Sequence, residues 1–381
     1  MLSLNFTLRG VVMAQAISEI NSHGTYRVPS QKDDDSIFTE KATSLNDLYG
    51  LIEERYLYNI AKHALTVGIS TCLVDINDEN LKKTLLFRKV TFDIKKITER
   101  LYYVRLGKDL ILDYYLIKDG ETRDKSRTFY LFISDDNRAR TILHTFFRNA
   151  KPYFESSLIS QQDIFDIIDE FAESTQTKLL FVDGTLKMPG ETRRIWKKKP
   201  QAYDRELLTR IASENRGRWS SIAVQTEDNR MKFRVYEEGF VTLHYGSYKQ
   251  LYTYVVLPLL RKIDEKSSIF REVEKNAPFD SSLKIIQLTY ATEIDKETLF
   301  QIKDLLSTKY ISSVLHAGNP YLHMELIDRK DFSNLALFAS GNKIEIIPGR
   351  GVTFSTLIEI VALLLDILPT LQIHIKPAEG D

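Results

Sequence analysis

Cysteine is nearly missing from this chain: Cys72 is the one cysteine in 381 residues. That excludes a disulfide framework and any multi-cysteine metal site. Cys72 lies in the apolar stretch 69–74 and reads as a buried structural thiol. Net charge is absent too, with 52 Lys+Arg against 52 Asp+Glu. A uniformly basic nucleic-acid coat is thereby excluded, and any basic patch must be local. No apolar run approaches the roughly 18–20 residues of a membrane-spanning helix. Residues 1–16 lack a basic segment followed by a solid apolar core, so no secretory signal is expected and the protein is expected to be intracellular.

The familiar catalytic signatures are missing as well. The chain holds no G-x-x-x-x-G-K-[ST], G-x-G-x-x-G or G-x-S-x-G, and its 7 histidines form no pair at helical ligand spacing. Asp163, Asp166, Asp169 and Glu170 have helical spacing and read either as Mg²⁺ ligands or, more simply, as a solvated helix face. The expectation is a non-catalytic protein without cofactor or metal.

What the chain has is enough apolar content, 43%, for packed cores in two or three domains. Residues 1–44 read as a flexible arm, polar from Pro29 to Ser44 with Asp33, Asp34 and Asp35 in a row. An N-terminal α+β domain is expected over 45–175. The spacing predicts helices over 45–64, 137–150 and 155–174, around strands within 85–134. Charge is uneven along the chain: residues 178–264 carry 17 Lys+Arg against 10 Asp+Glu, a net +7, while residues 1–177 and 283–381 each carry −3. Such asymmetry points to an anionic partner for the middle segment.

The second half has internal self-similarity. Residues 176–264 and 283–381 share one order of elements: a strand, a helix, three strands and a long helix. Trp219 and Tyr321 differ by 102 positions, as do Tyr236 and Phe338 and the turn glycines Gly239 and Gly341. The fold class expected is α+β, an N-terminal α+β domain followed by two β-α-β-β-β-α-like repeats. Those repeats would form a saddle-like antiparallel sheet with helices on one face.

The hairpin Ala336-Leu337-Phe338-Ala339-Ser340-Gly341-Asn342-Lys343-Ile344 resembles that of the TATA-box-binding protein family. The family has an aliphatic pair, Phe, a small residue, Ser, Gly and Lys there, and a second wedge Phe 17 residues upstream, where this chain has Tyr321. The resemblance implies a pseudo-symmetric saddle over about 178–370 and four aromatic wedges at Trp219, Tyr236, Tyr321 and Phe338. All four are Phe in the family. Gln287 resembles the family's strand Asn, whereas Asn342 stands where a backbone-contacting Lys is usual. Glu325 and Glu345 would repel phosphate if they faced the concave side.

The middle segment is better suited to an anion. Arg216, Arg218, Arg230, Lys232 and Arg234 lie on or near its strands. Arg193, Arg194, Trp196, Lys197, Lys198 and Lys199 form a basic run with an embedded Trp, read as a loop that grips phosphates and stacks on an unpaired base, or as a solvated loop. Aromatics in strands are also ordinary core or interface residues. Two functions are therefore expected to compete. One is a nucleic-acid-binding protein resembling a transcription-initiation factor, with DNA as its partner. The other is an adaptor whose saddle binds a partner protein, with the apolar helix near 355–368 in the core or at an interface. Neither involves a membrane.

Overall fold

The structure, a computed structural model, describes residues 36–38, 41–123, 125–155, 157–188, 191–274, 284–318, 321–349, 351–368 and 372–377. The side chains of 198, 269, 271–274 and 375–377 lie outside that description. So does most of the expected N-terminal arm, residues 1–35. The end of that arm packs against the N-terminal domain. Ile37 is buried and donates its N–H to Asp135 Oδ2 at 2.7 Å, and Phe38 stacks on Tyr115 at 5.0 Å.

The fold is α+β. Helix α1 (Leu45–Leu57) precedes strand β1 (Leu65–Cys72), helix α2 (Glu79–Phe87) and a meander of β2 (Thr91–Lys96), β3 (Leu101–Gly107), β4 (Ile111–Glu121) and β5 (Thr128–Ser134). Helix α3 (Ala139–Asn149), a short β6 (Phe154–Glu155) and helix α4 (Gln161–Thr175) follow. The middle segment contains β7 (Leu179–Met188), β8 (Glu191–Ala202), α5 (Arg205–Glu214), β9 (Arg218–Thr226), β10 (Lys232–Tyr236) and β11 (Phe240–Tyr245). It ends in α6 (Tyr248–Leu251), a π-helical turn (Tyr252–Val256) and α7 (Leu257–Glu274). The last segment contains β12 (Lys284–Thr289), α8 (Lys296–Lys309), β13 (Ile311–Ala317), β14 (Tyr321–Ile327), β15 (Asn334–Ser340), β16 (Lys343–Pro348), α9 (Phe354–Ile367) and β17 (Gln372–Pro377).

Local chemistry explains where the helices begin. The Ser44, Asp78, Asp204, Asp295 and Thr353 side chains each accept a hydrogen bond from a first-turn N–H, and Ser160 with Asp163 makes a reciprocal capping box. α1 stops at Leu57 rather than reaching 64, because Asn59 takes a positive φ of 55° and breaks the spiral.

Strand pairing differs from the expected tandem saddle. The middle segment joins the N-terminal domain in one 11-stranded antiparallel sheet, ordered β2-β3-β4-β5-β1-β11-β10-β9-β7-β8, with β6 beside β1. The last segment forms its own 6-stranded sheet, β13-β14-β15-β16-β12-β17. The shared topology is between the first and last segments. In both, a strand and a helix lead into a four-strand meander whose final strand pairs with the first strand, β5 with β1 and β16 with β12. In the middle segment the first strand β7 instead pairs with β9, the first strand of its meander. The middle segment also places two strands before its helix and three after it, where the last segment has one before and four after, so neither element order nor sheet order matches between them.

Burial explains the layering. On one side of the larger sheet a single core runs its length: Leu65, Val67 and Ile69 of β1 meet Ile52 of α1, Ile164 and Phe171 of α4, Leu208 of α5 and Val255 of the π-helical turn. On the other side α2 and α3 cover β1–β5 and reach Phe240 of β11. Helices thus cover both faces of the N-terminal half. In the last segment α8 and α9 pack on one face, and Ile360, Val361 and Leu364 of α9 are fully buried. The apolar final helix is therefore core.

The last segment docks through buried charge. Lys151, 2% exposed, lies 3.3 Å from Asp328 and is also paired with Glu359. Arg88 donates to the carbonyls of Asn149, Lys151 and Lys330, at 2.6, 2.8 and 2.6 Å. Removing one partner of a buried pair strands the other charge. Lys151→Ala is expected to destabilise the protein by about 3–5 kcal/mol, read by urea unfolding, and Lys151→Arg to retain more of the stability than Ala.

Candidate functional site

The site is built on the side of β7–β11 away from the helices α4, α5 and α6. Residues directly opposite in an antiparallel pair share a face, so register assigns the side chains. One row runs Thr242 (β11), Arg234 (β10), Ala223 (β9), Asp183 (β7) and Trp196 (β8). The next runs Tyr236, Ser221, Thr185 and Arg194. Lys232 and Gln225 begin a third, with His244 two residues beyond Thr242 on the same strand. The face is polar, and it gathers five residues expected from sequence: Arg194, Trp196, Lys232, Arg234 and Tyr236.

This face has a floor and a rim. On the floor, Arg234 and Asp183 are both buried and form a charge-assisted pair, and Arg234 Nη1 also donates to Ser221 Oγ at 3.2 Å. Arg194, exposed at the rim, reaches the same Asp183 at 3.5 Å. Its guanidinium lies over the Trp196 ring at 5.4 Å, and Trp196 is 69% exposed. The Tyr236 ring has two guanidinium groups over it, Arg140 of α3 at 4.5 Å and Arg234 at 5.7 Å. Such stacking orients the cations without consuming their donors.

Two floor atoms lack a protein partner. Among the described residues, Thr242 Oγ1 and His244 Nε2 are buried with no hydrogen bond. Buried polar atoms are nearly always satisfied, so these two mark where a ligand or water would complete the site. Burial, then the Lys232 and Arg234 cations, holds the His244 imidazole down at about 4. Burial lowers the Lys232 ammonium, and the Arg234 and Arg194 charges add to that while Asp183 opposes it. The arrangement concentrates positive charge in a partly dry place and offers a flat indole beside it.

The remaining predicted residues lie elsewhere. Trp219 is a correction: it is fully buried in the helix-side core, its Nε1 donating to Leu208 O at 2.8 Å and its ring packed over Gly184. A Cβ at Gly184 would sit 2.8 Å from the indole carbons, so the bare glycine makes room for the ring. Trp219 therefore presents no wedge to a base. Arg218 is also buried, paired with Glu237 and 3.6 Å from Asp366 of α9, where Lys187 joins at 2.6 Å. Burial pulls its guanidinium down to about 10. It fastens the last segment rather than reaching a ligand.

The basic run is a strand, not a loop, so its side chains alternate: Arg194 and Trp196 face the site, while Arg193 and Ile195 face the other side. Lys197 is half-buried, Lys199 is exposed, and the Lys198 side chain lies outside the described residues. Arg216 and Arg230 sit in turns flanking β9. Tyr321 and Phe338 belong to the 6-stranded sheet, with ring centroids 5.5 Å apart beside His316 and His323. Asp166 and Asp169 of α4 are bound by Arg205, and Asp166 also by Lys262, so that helix face is an ion-pair network. Burial pushes the Cys72 thiol up to about 12, as expected of a structural cysteine.

Sequence reasoning missed Asp183, Thr242, His244 and Arg140. Arg140 arrives from another segment and had no local signal. Thr242 and His244 alternate with Val241 and Leu243, a period-2 pattern that would have found them. The chain matches no known family model, and no curated protein sequence matches it.

Two measurements check this geometry. Acrylamide is expected to quench one of the two tryptophans readily and spare the other, and Trp196→Phe to remove the quenchable component. By NMR the His244 ring is expected to titrate near 4 rather than at the ordinary 6.5. Because its folded value is lowered, its contribution to stability is complete above about 6.5 and is lost as the pH falls toward 4.

Proposed function

We propose that this protein binds nucleic acid without catalysis, taking a single-stranded segment across the polar face of β7–β11. The observation that carries this reading is the exposed Trp196 beside Arg194, on the same face as Lys232, Arg234 and Tyr236. Sequence-tolerant binding of single strands combines a cationic track for the backbone with aromatic plates for the bases. Trp196 supplies the plate. Arg194 and Lys232 supply phosphate contacts, and the buried Arg234–Asp183 pair holds the floor in one arrangement.

A kinked duplex fits less well. Wedging between base steps needs protruding apolar plates. Trp219 is within the core, and Tyr321 and Phe338 belong to the other sheet. DNA and RNA strands both satisfy the proposed chemistry.

Fluorescence anisotropy with labelled single-stranded and duplex oligonucleotides tests the reading. Single strands are expected to bind more tightly, and the affinity to fall as salt rises. Trp196→Ala is expected to weaken binding by ~1–3 kcal/mol, the worth of one base stack. Lys232→Ala is expected to lower the salt slope by about 1. Absence of binding at ~50 mM salt, where phosphate contacts are strong, overturns the proposal.

A further inference from the structure

Single apolar side chains on a surface are ordinary, but a group of them marks an interaction site. Among the described residues, the three most exposed large apolar side chains are Phe87 at 88%, Leu86 at 77% and Phe332 at 74%. Leu86 and Phe87 end α2, and Phe332 lies in the turn between β14 and β15. Arg88, which follows Phe87, donates from Nη2 to the carbonyl of Lys330 at 2.6 Å. That bond sets the end of α2 beside the turn.

Both tips are held outward by their surroundings. Leu81 and Leu85 bury the inner side of α2 and leave Leu86 and Phe87 in solvent. The turn is fixed by three hydrogen bonds of 3.0 Å: Phe332 N–H to Asp328 O, Ser333 N–H to Asp331 Oδ1, and Thr356 Oγ1 to Asp331 Oδ2. Phe332 takes a positive φ of 59°, a conformation that bulky residues rarely adopt. The fold thus presents an aromatic ring to solvent in a backbone conformation that the residue itself disfavours.

The charge around these tips is of one sign. Lys82 and Lys83 stand one helical turn before Leu86 and Phe87, and Lys89 follows them. All three are exposed, as is Arg329 in the turn. The acidic residues of the turn are engaged inward: Asp328 is buried against Lys151, and Asp331 accepts from Thr353 and Thr356. On α2 the one carboxylate is Glu79, at the far end. Lysine is depleted in protein–protein interfaces, and stacking on a base makes no use of Leu86. Leu and Phe set among Lys and Arg is the composition of a surface that enters the headgroup layer of an anionic membrane.

We infer that the end of α2 and the β14–β15 turn form a docking surface for an anionic phospholipid bilayer. Leu86, Phe87 and Phe332 enter the interface, and Lys83, Lys89 and Arg329 lie against the headgroups. No helix among the described residues is long and apolar enough to cross a bilayer, so the contact is peripheral. It shares no residue with the polar face of β7–β11.

Co-sedimentation of the full chain with vesicles tests this. Binding is expected to vesicles of phosphatidylcholine mixed with phosphatidylserine, to weaken as salt rises, and to be much poorer with phosphatidylcholine alone. Phe87→Ser and Phe332→Asn are each expected to weaken it about tenfold, the loss of one apolar side chain; Asn also tolerates the positive φ, so that variant keeps the turn. Lys83→Ala is expected to cost about fivefold. Phe87→Trp is expected to bind, with its emission quenched by brominated acyl chains. No binding to anionic vesicles at low salt overturns the inference, as does equal binding to neutral ones. Folded Phe87→Ser and Phe332→Asn variants that bind like the wild type overturn it too, as does a Phe87→Trp indole that bromine leaves unquenched. If Phe87→Ser instead loses single-stranded oligonucleotide and keeps vesicles, the tips serve nucleic acid and the inference fails.

Discussion

The larger sheet depends on β1 lying between β5 and β11 with apolar cores against both of its faces. All eight residues of β1 are buried. Leu65, Val67 and Ile69 point into the core shared with α1 and α4, while Gly68 points toward α3. A Cβ on Gly68 would come within 2.8 Å of both Leu143 Cδ1 and Phe240 Cε1. The absence of a side chain there lets α3 close against the seam between the N-terminal and middle segments. An interior strand needs apolar cover on each side, and this seam receives it from two separate helix layers.

The polar face follows from where that second layer ends. α3 reaches the seam, contributes Arg140 to Tyr236, and goes no further. Beyond it the strands turn polar side chains outward on the side opposite a continuous apolar core. Arg234 is then buried among strand neighbours, where an unpaired charge would be costly, and Asp183 compensates it. Because Asp183 is also within 3.5 Å of Arg194, one carboxylate orients a floor cation and a rim cation together. The geometry is held before any ligand arrives, so less ordering cost falls on binding.

Strand alternation made part of this legible. Lys232, Arg234 and Tyr236 are spaced by two, and Phe233 and Val235 between them are core, so their common face could be read directly. Trp196 stood out as an aromatic within a basic run, though the run forms a strand where a loop was expected. Trp219 could not be read in the same way. Its strand, Arg218–Thr226, is buried on both faces apart from half-buried Gln225, and the register shifts between Trp219 and Ser221, so alternation does not report orientation. Sheet order was the least legible feature. Matching aromatics linked the middle and last segments, yet β1 shares its position in the fold with β12, and that depends on contacts between residues far apart in sequence.

The middle segment's net +7 overstates the charge that a ligand would meet. Arg218 and Arg234 are buried against Glu237 and Asp183. Arg205 and Lys262 are held by the acidic residues of α4, and Lys187 is shared between Glu237 and Asp366. Several of the cations that distinguish this segment therefore serve packing, chiefly by tying α4 to its neighbours and the last segment to β7 and β9. The cations left at the site are few and lie close to one plate, Trp196. A surface of that kind draws proportionally more of its affinity from stacking, and less from counterion release, than a broad basic groove does. That balance agrees with a chain of zero net charge, whose long-range field does little to gather a polyanion. On the proposed reading, recognition at the β7–β11 face would accordingly be a short-range matter, decided by the fit of a base against the indole and of a phosphate beside Arg194 and Lys232.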